Sequence, residues 1–252
     1  MTRIITIASG KGGVGKTTVS INLATVLATK FKKKVIIIDC NITTSHLSLY
    51  LGVYYHPVTL NQVLKGEANM LEASYDHMEN LKIIPASLSA RDLKGVDIGL
   101  LKEKLKELYG KADFVLLDSA PGLGREANAV LRAGDEVLFV TTPFVSSVAD
   151  ILRCKELIKE NNTEPIGVVL NMSTRHDELS ESDIEEMLEI PVLEKIPMDK
   201  NVTKSLAAKE PVVILNPSSK ASKSFYRLTS KILGEPVKEG LVEKIKNCFK
   251  IF

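Results

Sequence analysis

Two lysines and four glycines crowd into nine residues near the start of the chain, Gly10-Lys11-Gly12-Gly13-Val14-Gly15-Lys16-Thr17-Thr18. Glycines let a backbone turn tightly and approach a phosphate with no Cβ in the way. The N–H groups of such a turn converge on phosphate oxygens, helped by the positive end of a following helix. At this spacing Lys16 would reach the β- and γ-phosphates, and the Thr17 hydroxyl would sit on Mg²⁺. The pattern points to a nucleoside triphosphate held with its magnesium ion.

Two carboxylates are placed to complete such a site. Val35-Ile36-Ile37-Ile38-Asp39 and Phe114-Val115-Leu116-Leu117-Asp118 are apolar runs, each ending in an acid. An acid that terminates a buried strand can hold Mg²⁺, often through water. Read singly, each could equally cap a helix. Asp39, Asp118 and Thr17 are the candidate metal-side residues.

These groups need elements to bring them together. Continuous apolar runs predict strands at Arg3–Ala8, Val35–Asp39, Leu81–Pro85, Phe114–Asp118, Glu136–Thr141, Ile166–Leu170 and Val192–Ile196, covered on both faces. Helical patterns lie between them at Thr17–Thr29, Ile98–Tyr109, Ser147–Glu160 and Ser182–Leu188. This alternation predicts an α/β fold with a mostly parallel sheet wound by helices on both faces. Ligands in such sheets collect at the carboxyl ends of the strands, where the glycine loop would lie.

Composition narrows the classes. The chain has 252 residues, 44% of them apolar, enough for one large domain. A formal net charge of +2 is too balanced to announce a nucleic-acid binder. Cys40, Cys154 and Cys248 are far apart and form no CxxC pair, which argues against a disulfide framework or a local metal cluster. No signal-peptide pattern opens the chain, and no apolar stretch reaches the ~18 residues of a membrane span. The cytoplasm is the expected compartment.

Lys11 sharpens the reading. Lys11-Gly12-Gly13-Val14-Gly15-Lys16-Thr17-Thr18 resembles the deviant Walker A motif of the MinD/ParA ATPases. The resemblance implies a P-loop ATPase converting ATP and water to ADP and phosphate. In it Lys16 serves its own nucleotide, and Lys11 crosses a homodimer interface to touch the partner's. Asp118-Ser119-Ala120-Pro121-Gly122 resembles the family's second switch, where the Gly122 amide would sense the γ-phosphate. Asp39 matches the first-switch aspartate near the Mg²⁺ water shell. Val168-Val169-Leu170-Asn171 ends in an amide that would read the adenine edge, and Ile196-Pro197-Met198-Asp199 matches a turn that would lie against the base. Asn171, Pro197 and Asp199 are therefore nucleotide-binding candidates, with ordinary turns as the alternative. Thr142–Asp150 resembles a segment near the dimer face, with Phe144 where glutamate is common.

The chain departs from the family at one catalytic position. The usual Asp-x-Asp is Asp39-Cys40-Asn41. Asn41 can orient a water through its amide oxygen but cannot take a proton as a carboxylate would. Slow hydrolysis is expected; the alternative is that Asn41 is only a turn residue. His46 reads as a surface or helix-start residue.

Gly234-Glu235-Pro236 breaks the chain, dividing an ATPase domain (1–234) from a linker and C-terminal amphipathic helix (235–252). At ~100° per residue, Leu241, Val242, Ile245, Cys248, Phe249 and Phe252 share one arc, and Lys238, Lys244, Lys246 and Lys250 outnumber Glu239 and Glu243. Such a helix reads as a reversible anchor on an anionic membrane, as MinD-like members carry; a helix docked on the sheet is the alternative. The whole implies a switch that dimerises with ATP, visits the cytoplasmic face of the membrane and answers to a protein partner. The other readings are a ParA-like partition ATPase on DNA and an ATP-binding scaffold with little turnover.

Overall fold

The computed structural model describes residues 1–159 and 163–235. Eight strands form one sheet: β1 (Arg3–Ala8), β2 (Val35–Asp39), β3 (Tyr75–Met78), β4 (Leu81–Ile84), β5 (Phe114–Asp118), β6 (Glu136–Thr141), β7 (Glu164–Ser173) and β8 (Val192–Pro197). Their spatial order is β3-β4-β2-β5-β1-β6-β7-β8. All neighbours pair in parallel except β3 with β4.

The helices are α1 (Lys16–Thr29), α2 (Leu47–Tyr50), α3 (Leu60–Lys65), α4 (Leu101–Lys104), α5 (Arg125–Ala133), α6 (Val145–Lys159), α7 (Glu181–Leu188), α8 (Lys200–Ala208), α9 (Val212–Leu215) and α10 (Lys220–Leu233). They cover both faces, as the unbroken apolar strands require. Successive residues of a strand point to opposite faces. Thus Ile5, Ile7, Ile37 and Leu116 pack into a core with α1 and α10, while Ile4, Ile36, Ile38 and Leu117 pack into another with α3, α4 and α5. A third core joins β6 and β7 to α6 and α7.

Helix α1 is buried nearly all round, beneath the sheet centre and against α10. Its buried polar side chains bond back one turn: Asn22 Nδ2 to Thr18 O at 2.8 Å and Thr25 Oγ1 to Ile21 O at 2.8 Å. Helix α10 ends on Gly234 at φ 66°, a left-handed cap that glycine favours.

Two sequence expectations are corrected here. The single helix expected over Ile98–Tyr109 is a 3₁₀ turn, α4 and a second 3₁₀ turn. Ile98, Leu101, Leu105 and Leu108 are all buried, and side chains three apart align in a 3₁₀ turn. Tightening at both ends keeps all four on the core. Strand β3 was not expected: it is short, carries Asp76 and His77, and lies on the edge, where burial leaves little apolar imprint.

Candidate functional site

Three loops emerge together at the carboxyl edge of the sheet, after β1, β2 and β5. Register makes Asp39 and Asp118 direct neighbours on β2 and β5. The glycine loop wraps the start of α1 beside them and lines a cavity of about 340 Å³ with Ser9 and with Lys11 through Thr18. Asn41, Thr44, His46, Tyr50, Pro121, Met172 and Leu206 complete its walls.

The glycines of the loop act differently. Gly13 (φ 81°) has nothing within 4 Å of where a Cβ would stand, so its concave side is open. Gly15 (φ 85°) has Asn171 Nδ2 only 2.2 Å from that point. At Gly10 a Cβ would lie 2.2 Å from Asp150 Cβ and 2.6 Å from Asp150 C, so the loop and α6 meet backbone to backbone. An open glycine turn at the positive end of α1 suits phosphate.

Asp118 is the hub. Lys16 Nζ pairs with its Oδ1 at 3.2 Å, Ser20 Oγ donates to the same oxygen at 2.9 Å, and Thr17 Oγ1 donates to Oδ2 at 2.7 Å. Asp39, also fully buried, accepts from Ser45 Oγ at 2.7 Å, from the Leu47 amide at 3.2 Å and from the Asn41 amide at 3.1 Å. Burial first, then the charge of Asp118, pushes the Asp39 carboxyl up to about 6, against the pull of those three hydrogen bonds. Of these two adjacent buried carboxylates, Asp118 pairs with a lysine and Asp39 is held by hydrogen bonds alone. That surplus of negative charge, with the Thr17 hydroxyl alongside, is a hard-oxygen donor set suited to Mg²⁺ shared with phosphates.

The remaining candidates fall in distinct places. Lys11 Nζ reaches out to Ser146 Oγ at 3.3 Å in the first turn of α6, on an exposed face. Phe144 and Val145 beside it are 46% and 43% exposed. The Gly122 amide donates to Ser9 O at 3.1 Å. Asn41 folds its side chain into its own loop: Nδ2 donates to Thr44 O at 2.8 Å, and Oδ1 accepts from Thr44 Oγ1 at 3.0 Å. Asn171 lies within β7 and donates to Val14 O at 2.8 Å, bracing the loop from two strands away. Pro197 ends β8, and Asp199 caps α8 through the Asn201 amide at 2.9 Å while accepting from the Ala221 amide at 3.2 Å. Neither lines the cavity. His46 sits at the start of α2, stacked on Tyr50 at 6.1 Å. Leu241, Val242, Ile245, Phe249 and Phe252 lie outside the described residues.

A family model described as ParA, NUBPL iron-transfer P-loop NTPase, matches residues 1–233. The chain belongs to the ParA family of P-loop NTPases. This ParA-family chain is 37% identical over 246 residues to an uncharacterized ATP-binding protein of Methanocaldococcus jannaschii, covering 97% of itself and 92% of the relative. It is 35% identical over 266 residues to the septum site-determining protein MinD of Escherichia coli, covering 99% and 97%. The structure of Pyrococcus horikoshii MinD complexed with Mg-ADP superposes with a TM-score of 0.88 at 34% identity, covering 92% of this chain and 96% of that one. The expected P-loop fold is therefore the observed one.

Sequence reasoning passed over several side chains that this ParA-family site uses. Ser20 stands four residues after Lys16, one helical turn on, so its place beside Lys16 was available from spacing alone. Ser146 meets Lys11 from an element that no local pattern connects to it, and Ser45 meets Asp39 by the folding of the loop that follows β2.

Proposed function

We propose that this chain is a MinD-type ATP switch. Mg·ATP would bind in the loop cavity, with Lys16 on the β- and γ-phosphates and Thr17, Asp39 and Asp118 on the metal side. Bound Mg²⁺ would neutralise charge on the phosphates. The chain's own groups would do the rest: the loop amides hold the phosphates, Gly122 would exchange Ser9 O for a γ-phosphate oxygen, and Asn171 braces the loop. Hydrolysis would be slow and would reset the switch.

The observation that carries this reading is the direction of Lys11. At the edge of the cavity its Nζ reaches Ser146, beside exposed Phe144 and Val145. A lysine so placed supports contact with a second copy's nucleotide, in an ATP-stabilised homodimer. The dimer would then join two C-terminal segments, whose apolar stripe and lysine excess suit an anionic membrane at the cytoplasmic face. Two weak anchors on one particle bind far better than one, by effective concentration.

Sedimentation with a non-hydrolysable ATP analogue tests this directly. A dimer is expected with the analogue, monomer with ADP, and monomer for Lys11→Ala in both. Vesicles of anionic lipid should pellet the protein with the analogue, and Ile245→Glu should abolish that pelleting. A Lys11→Ala protein that dimerises like the parent would overturn the reading.

A partition role on DNA is the second reading, supported by a groove of about 770 Å³ along β8 and α10 that carries Arg175, Lys220 and Lys223. Salt-sensitive, ATP-dependent DNA retention would favour it. Iron transfer, which the family model's description carries, is not proposed. Cys40 and Cys154 are buried in separate cores, and among the described residues no group of three or more His, Cys, Asp or Glu could hold a metal.

A further inference from the structure

The glycine loop, the loop after β2 and the segment leading from β5 into α5 hold one carboxylate besides the strand-end Asp39 and Asp118. Along 9–18, 40–50 and 119–127 that residue is Glu126, in the first turn of α5. Its neighbour Arg125 turns away to pair with Asp97 at 3.2 Å. Glu126 instead crosses the gap between the two switch loops and accepts from Thr43 Oγ1. Among the described residues no cation pairs with it. Thr43 stands between Asn41 and Thr44, which both line the cavity. An acid at a helix start favours the helix dipole wherever its side chain points. The dipole alone does not account for the bridge to Thr43.

Asn41, where the family commonly has an acid, is turned into its own loop by Thr44. We propose that Glu126 supplies the carboxylate missing at position 41, accepting a hydrogen bond from the water that attacks the γ-phosphate, with Thr43 as its positioning residue. This rests on the ATPase reading above. In the step, the water oxygen forms a bond to the γ-phosphorus. The bond from that phosphorus to the bridging oxygen breaks, its electron pair leaving with ADP. The water's proton passes to a phosphate oxygen, giving inorganic phosphate. Glu126 takes that proton first as the new bond forms and hands it on, so it is unchanged at the end.

The test measures ATP affinity, thermal stability and turnover of the full chain with Mg·ATP. Glu126→Gln keeps size and hydrogen bonding, so affinity and stability should stay near the parent's. Turnover should fall about 100-fold, the lower end of the range for one positioned acid–base group. Adding Asn41→Asp to Glu126→Gln should restore turnover, which repair of a merely structural role would not do. Thr43→Val should lower turnover less than Glu126→Gln, with affinity again preserved. Glu126→Gln within twofold of the parent, or a double variant no faster than Glu126→Gln, overturns the assignment. Should Glu126→Gln not fold, Thr43→Val decides, and unchanged turnover there also overturns it. A parent that binds ATP through Lys16 yet shows no turnover would refute the ATPase reading itself, a result separable from either.

Discussion

Replacing Asp39 by asparagine should stabilise the nucleotide-free protein while weakening its hold on Mg·ATP. The carboxyl of Asp39 rises from 3.8 to about 6 in the fold. The folded chain therefore binds this proton more tightly than the unfolded one. The resulting penalty is absent below about 3.8, grows as pH rises through the interval and is complete above about 6. A shift of about two units corresponds to about 3 kcal/mol. Asparagine removes the charge but offers one acceptor where Asp39 has two. It would keep a bond from either the Asn41 or the Leu47 amide and weaken the other, a loss of about 1–2 kcal/mol. A net gain of about 1–2 kcal/mol remains, roughly 2–8 °C in Tm for a domain of this size. Thermal melts in EDTA at pH 7.5 and pH 4.5 read it: Asp39→Asn should melt above the parent at the higher pH and lose that advantage at the lower. With saturating Mg·ATP the order should reverse, because only the parent gains the full ligand stabilisation. A variant that melts below the parent at pH 7.5 without metal, or by the same margin at both pH values, would refute the reasoning about surplus charge.

Other outcomes follow from the same site. Lys16→Ala should lose ATP affinity at least ~100-fold by calorimetry, with far-UV circular dichroism unchanged. It should also melt lower, since Asp118 is left buried with no opposite charge. Gly10→Ala should destabilise by about 2–3 kcal/mol, because its Cβ would fall 2.2 Å from Asp150 Cβ and 2.6 Å from Asp150 C. Gly13→Ala, strained by φ 81° but free of neighbours, should cost only about 1–2 kcal/mol, so urea midpoints should rank the two.

The parts of this molecule legible in its sequence are those where one stretch of chain carries its own signal. Ile36-Ile37-Ile38-Asp39 announces a doubly covered strand and its terminal acid in one run, and Gly10–Thr18 contains its whole turn. Legibility ends where two distant stretches must meet. Thr43 on Glu126 and Ser146 on Lys11 are pairings made by sheet order, which no local period encodes, while Ser45 on Asp39 depends on how one loop folds back. Asn41 shows the same limit from the other side: its residue type suggested a water or a turn, and only the position of Thr44 shows where its amide is spent. Strand β3 and the 3₁₀ turns around α4 escaped because edge position and core spacing outweighed propensity there.

The contact between Gly10 and Asp150 gives the molecule a joint without slack. Most packed elements touch through side chains, which absorb small displacements by changing rotamer. Here main chain rests on a Cβ and main chain, and nothing between them can rotate. A push on the first turns of α6, where Phe144 and Val145 stand exposed, must move the start of the glycine loop by the same amount or break the contact. The loop and the helix then behave as one lever, with Lys11 at its tip, and whatever grips the outer end of α6 also sets where that lysine can go.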